Sequence, residues 1–270
     1  MYISKLFCQF IFFSFLGWIW ESFYCAMKEK KWVDRGFMFG PVCPIYGSSM
    51  CIVLLVIQLF PNFLNPDRPA YVLFLFSMIG SAVMEYTTSV VLETRFGARW
   101  WDYGDIPLNL NGRICLPASL GFGAAGVIVI KFLIPFFSGI QLNIPNWVFE
   151  TASIPLAALF GADLALTVAS LSTLINTVEA YKNEFNLRAE VTVNAIASTP
   201  KRVEAAFINK KDQIKEQFPQ IGKYVKFMSP FQKRVMRNVK IFIPKSDGKR
   251  ASIMMRMKNY IENYKENSQS

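Results

Sequence analysis

The sequence predicts an all-α integral membrane protein of about five transmembrane helices, four of them forming a two-helix parallel internal repeat, followed by a helical cytoplasmic C-terminal extension. Three observations predict it. Of the 270 residues, 53% are hydrophobic and 25 are Phe, and the mean hydropathy is +0.28. Five apolar stretches approach the length of about 20 residues that a helix needs to cross a bilayer. Charge is segregated as well: residues 180–270 carry 19 Lys and Arg against 8 Asp and Glu, while residues 1–179 carry 10 against 11, so the formal +10 belongs to the tail.

The expected spans are 6–27, 44–60, 70–92, 115–137 and 147–172, which makes 1–180 the transmembrane domain and 181–270 a basic tail. The second stretch is short, and GPVCP at its start could re-enter the membrane, but it is read as spanning. The first is read as a span and not as a signal peptide. Its n-region has one Lys, Glu21 interrupts the apolar run, and the basic cluster follows it without a small-x-small cleavage site. Lys28, Lys30, Lys31 and Arg35 lie between spans one and two, and Arg95, Arg99 and Arg113 between three and four, while the other two loops hold only Arg68. The bias of Lys and Arg toward the cytoplasm then predicts a multi-pass protein of the cell (inner) membrane, with the N-terminus outside and the C-terminus cytoplasmic.

In the tail, Thr199 and Pro200 read as N-cap and first residue of one helix. Ser229, Pro230 and Gln232 read as a capping-box start to a second. A third is expected after Gly248, with Ile253, Met257, Ile261 and Tyr264 along one face. FQKRVMRNVK, residues 231–240, is basic and amphipathic. It reads either as a helix lying on anionic lipid head groups or docking a partner, or as a solvated basic face. No nucleic-acid-reading module accompanies this charge, so no specific nucleic acid is expected.

The chain has no His, which excludes Ser-His-Asp and Cys-His catalysis and His-ligated metals. Cys8, Cys25, Cys43, Cys51 and Cys115 show no CxxC spacing, so neither a disulfide frame nor a zinc site is expected. No catalytic residue, metal ligand or cofactor is assigned. Most of the tryptophans, Trp18, Trp20, Trp32, Trp100 and Trp101, suit an interfacial belt.

The informative pattern is a doubled motif. One copy runs Gly17, Trp18, Glu21, Trp32, Asp34, Arg35 and Gly36 into GPVCPIYG (40–47). The other runs Gly80, Glu85, Trp100, Trp101, Asp102 and Gly104 into Gly112, Arg113, Cys115 and Pro117. Glu21 and Glu85 are each the sixteenth residue of their expected spans, which puts both carboxylates at one depth. Charge in hydrocarbon is costly and marks a functional position by default. The candidate substrate-binding residues are therefore Glu21, Arg35, Tyr46, Glu85, Trp101, Asp102, Asn109 and Arg113. The competing structural reading pairs the glutamates with Arg35 or Arg113 inside the bundle. Asp163, near the middle of the fifth span, is read equally as functional or as one end of a hydrogen bond in a kinked helix.

GWIWE (17–21), DRGFMFGPVCPIYG (34–47), MEYTTSVVLE (84–93) and RWWDYGDIPLNLNGRICL (99–116) resemble the bacterial family of putative ABC-transporter type IV, or CmpB-like, membrane proteins, over roughly residues 6–137. The resemblance implies an inner-membrane permease or permease-like subunit. No GxxxxGK[ST] stretch occurs in the chain, so an ATPase would be a separate subunit. Five spans are few for a complete pathway, which points to a homo-oligomer or another partner. Three function classes follow: a permease with a cytoplasm-facing polar cavity, a membrane enzyme acting on lipid head groups through its carboxylates, and a scaffold or regulator acting through the tail.

Overall fold

The computed structural model describes residues 2–30, 36–197, 224–242 and 249–267. In chain order the elements are α1 (Tyr2–Glu29), α2 (Pro44–Leu59), α3 (Ala70–Phe96), β1 (Ala98–Arg99), β2 (Asn109–Leu110), β3 (Ile114–Cys115), α4 (Leu116–Ile128), a π-helical turn (Val129–Leu133), α5 (Ile134–Leu142), α6 (Asn146–Ala197), α7 (Pro230–Asn238), β4 (Ile241–Phe242) and α8 (Lys249–Asn267). Four helices are long and apolar enough to cross a membrane: Tyr2–Met27, Ala70–Phe96, Leu116–Ile140 and Asn146–Val178. Large apolar side chains such as Ile79, Val83, Phe132, Ile154 and Leu159 point outward from them. Lipid tails cover such a surface without penalty, whereas water does not.

The expected second span is the exception in length, for α2 has only 16 residues. It also starts beside the middle of α1, where the Cys43 N–H donates to the Ser14 carbonyl at 2.9 Å. Pro44 supplies the helical φ at its first turn. Two glycines then let α1 and α2 close on each other. A Cβ on Gly17 would collide with the Tyr46 ring, and one on Gly47 with Ser14 Oγ and the Phe10 carbonyl. Further along, Cys51 Sγ lies 3.7 Å from the Leu6 carbonyl, consistent with α2 running back along the first half of α1.

The third long helix is not regular. Between α4 and α5 the Ile134 N–H reaches back to the Val129 carbonyl, the wider π spacing. Pro135 follows directly, and a proline lacks an N–H and crowds the carbonyl four residues earlier, so a widened turn relieves it. Ile130 of this turn and Ile134 pack with Leu64 and Leu73 into an apolar cluster edged by α2 residues such as Val53 and Ile57. Aromatic rings tie α1 to its other neighbours: Phe10 meets Phe160 edge-on with ring centres 5.2 Å apart, and Phe12 meets Phe137 at 4.7 Å.

By contact the chain forms two compact units, Met1–Leu92 with Trp101–Val168, and Glu93–Trp100 with Ala169–Ser270. The helix expected to end at 172 runs unbroken to Ala197. Residues 93–100, expected to belong wholly to the membrane-domain loop, group instead with the tail. The cause is a short antiparallel pairing in which Ala98 faces Phe242 and Arg99 faces Ile241. The Lys240 N–H extends it by donating to the Arg99 carbonyl at 2.8 Å, and Arg99 Nε is fixed by Glu93 at 2.9 Å.

The capping box expected at Ser229 is present. The Gln232 N–H donates to Ser229 Oγ, and the Ser229 N–H donates to Gln232 Oε1. Gln232 also donates through Nε2 to the Ser170 carbonyl at 3.1 Å, which fastens α7 to α6. Phe231, Val235 and Met236 of α7 are buried, as are Val239, Phe242 and Trp100 and, along α8, Ile253, Met257 and Ile261. This corrects one reading of 231–240: the apolar face of that basic helix is used inside its own unit and is not offered to lipid. Trp100 is likewise a core residue and not an interfacial anchor. The helix expected from Thr199 and Pro200 lies outside the described residues.

Candidate functional site

Each motif copy places a tyrosine hydroxyl on its glutamate. In the first, Tyr46 sits in the opening turn of α2, its ring lies against the bare backbone of Gly17, and its hydroxyl donates to Glu21 Oε1 at 2.9 Å. Gly17 and Glu21 are four residues apart and so share one face of α1. Missing side-chain volume at Gly17 is therefore what allows the phenol to reach Glu21.

In the second copy the donor comes from the loop. Tyr103 donates to Glu85 Oε1 at 3.1 Å. Its position is set by a small hairpin in which Asn109 pairs with Cys115 and Leu110 with Ile114. Asn111 and Gly112 turn the chain with positive φ values of 54° and 70°, and the Arg113 N–H closes the turn on the Leu110 carbonyl at 3.0 Å. The Tyr103 N–H then donates to the Gly112 carbonyl at 2.8 Å. Burial pushes the Tyr103 phenol well above its usual range, followed by the charge of Glu85 and their hydrogen bond, with smaller contributions from Cys115 and Glu21. The phenol thus keeps its proton and remains a donor.

Glu85 is only 8% exposed, and its second oxygen, Oε2, accepts no hydrogen bond among the described residues. Ser89, one turn further on the same face of α3 and 2% exposed, likewise leaves its hydroxyl without a partner. Buried polar atoms in native proteins are nearly always satisfied, so such a pair calls for an explanation. Glu21 and Glu85 lie within electrostatic range of each other, and Tyr46 is in the field of both.

The other candidates divide. Trp101 Nε1 donates to the Arg113 carbonyl at 3.0 Å. Asn109 donates to the Gly104 and Ile106 carbonyls and accepts from the Gly112 N–H at 2.9 Å. Both side chains are engaged in building the hairpin. The Arg113 guanidinium lies over the Tyr86 ring, 5.2 Å from its centre, a cation–π placement beside Glu85 in sequence. Asp102 stands next to Gly104, where a Cβ would come within 3.3 Å of its Oδ2. Arg35 lies outside the described residues. Among the described residues no three His, Cys, Asp or Glu side chains converge as a metal centre.

Tyr103 was not among the residues singled out from sequence, although it stands within the RWWDY stretch. Asp163, read from sequence equally as functional or structural, makes defined contacts. Its carboxylate accepts the N–H of Phe39 at 2.9 Å on Oδ1 and that of Gly40 at 2.8 Å on Oδ2. Thr167, fully buried one turn later, donates to Oδ1 at 3.2 Å. A Cβ on Gly40 would approach Asp163 Oδ2 to 2.7 Å, so this grip on the backbone requires glycine there. Asp163 thereby anchors the segment that leads into α2, in addition to making the helix-internal bond with Thr167 that the sequence reading allows.

The fold and site define a multi-pass, all-helical membrane protein with a pair of tyrosine-bound carboxylates. The chain belongs to the family described as "Putative ABC-transporter type IV", whose model matches residues 8–168. That match ends on the last residue of the first compact unit and takes in Asp163, which the motif resemblance did not reach. It supports a transporter-like role. No curated protein and no solved structure matches the chain.

Proposed function

We propose that the chain is a permease-like subunit of a membrane transporter, in which Glu21, Glu85, Tyr46 and Tyr103 line a polar solute site and Arg113 and Asp102 flank it. The observation that carries the reading is the buried Glu85 carboxylate with one oxygen bound by Tyr103 and the other without a hydrogen bond among the described residues. Keeping a charge in this environment is costly, and a packing role is served as well by an apolar side chain. The family membership supports transport, and a separate ATPase or a second copy of the chain would complete the pathway. The Lys and Arg of the loops favour an N-terminus outside and a cytoplasmic tail. On that orientation the charged face of α7, with Lys233 and Arg237, is the part left to meet anionic head groups.

The test is complementation. Cells lacking the gene are compared by their small-solute content with cells carrying the wild type, Glu85→Gln or Glu21→Gln. The wild type should restore the solute profile, and both variants should fail while reaching the membrane in equal amount. Full restoration by both variants would overturn the assignment.

A further inference from the structure

We propose that Glu85, with the Ser89 hydroxyl and the Glu21 carboxylate, binds a singly charged cation, either an alkali ion or an ammonium group. This deepens the permease reading by naming the charge class of the ligand, and it rests on that reading for its role in transport.

Three observations lead there. First, Tyr46 and Tyr103 donate to the two carboxylates but bring no charge, so these hydrogen bonds add nothing positive beside them. Like charges in low dielectric repel strongly, and a cation between them reverses the sign of that interaction. Second, the unengaged atoms are of the type a cation uses. Glu85 Oε2 is a pure acceptor when ionised, and Ser89 Oγ carries two lone pairs. Both lie on side chains more than nine-tenths buried, one turn apart on a single face of α3. An anion would meet two carboxylates there, which excludes it on charge.

Third, the donor set argues against a divalent ion. Calcium takes about six to eight oxygen ligands, several of them carboxylates. Among the described residues no third acidic, Cys or His side chain joins the two glutamates as a metal centre. A singly charged ion, or an ammonium group with three N–H donors to share among Oε2, Oγ and Glu21, matches the charge and acceptors present.

Full-length protein in detergent would be titrated separately with sodium, potassium and methylammonium chloride while Tm is followed by tryptophan fluorescence. Wild type, Glu85→Gln and Ser89→Ala are measured side by side, so general salt effects cancel. At least one cation should raise the wild-type Tm by about 3 °C more than that of Glu85→Gln, with Ser89→Ala between them. A shift confined to sodium or potassium identifies an alkali ion, and one confined to methylammonium an amine ligand. Equal shifts in all three proteins for every salt would overturn the proposal, and if Glu85→Gln does not fold, equal shifts in wild type and Ser89→Ala do so. A cation-specific shift alongside full complementation by Glu85→Gln would remove the transport role and keep the cation site. The opposite pair of results would remove the cation site and keep the transport role.

Discussion

The two copies of the motif reach the same contact by different means. In the first, the phenol that binds Glu21 belongs to a helix, and the segment before that helix is fixed from outside the copy by Asp163. In the second, the phenol that binds Glu85 belongs to a hairpin fixed from within by Asn109 and the Asn111–Gly112 turn. A carboxylate buried in a bundle needs a neutral donor at a fixed place, and either a close-packed helix or a self-supporting loop can supply it. What is common to both copies is the tyrosine–glutamate pair and not the scaffold around it.

Removing Asp163 should therefore damage the first copy most. Asp163→Ala removes the carboxylate that holds the Phe39 and Gly40 N–H groups, at a cost on the order of 3 kcal/mol. Thermal unfolding of the purified variant measures this, and early proteolytic cleavage within residues 36–43 would locate it. An unchanged Tm would mean that α2 holds this segment alone.

The glycine contacts sharpen the contrast next. Gly47→Ala drives a Cβ against the Phe10 backbone carbonyl and should cost about 2 kcal/mol. Gly123→Ala on α4 meets the Phe74 ring first, at 2.9 Å, and a ring can shift, so about 1 kcal/mol is expected. Gly80→Ala meets nothing within 4 Å and should stabilise α3 by about 0.5 kcal/mol through helix propensity. Denaturation midpoints of the three variants, read together, test the order.

The last contrast is between the two tyrosines. Tyr46→Phe and Tyr103→Phe each remove one hydrogen bond to a carboxylate, worth about 1.5 kcal/mol in stability. In the complementation assay Tyr103→Phe should lose more, because it strips Glu85 of its one hydrogen-bond donor among the described residues, beside an oxygen that has none. Equal losses would make the copies functionally equivalent.

Much of this architecture was legible in the sequence because hydropathy reports burial in lipid directly. The long helices, the Ser229–Gln232 capping box and the Ile253, Met257, Ile261 stripe are all local patterns with a physical meaning. The illegible parts are contacts made by backbone. Asp163 binds the N–H groups of Phe39 and Gly40, more than 120 residues away, and an N–H carries no residue identity. The pairing of 98–99 with 241–242 is two residues long and leaves no alternation to read. The half-way start of α2 was foreshadowed by its short apolar run, and the hairpin by Asn111–Gly112, a strong turn dipeptide. Tyr103 was passed over because its loop is crowded with aromatic residues that an interfacial belt also explains.

The central claim is that Glu21 and Glu85 act as one site. A double-mutant cycle of Glu21→Gln, Glu85→Gln and the double variant, with unfolding free energies measured in mixed micelles, tests it most directly. Two carboxylates within range of each other should give a coupling of at least about 0.5 kcal/mol, with each substitution relieving the repulsion felt by the other glutamate. Effects that add to within about 0.3 kcal/mol would show two independent glutamates and contradict the shared site.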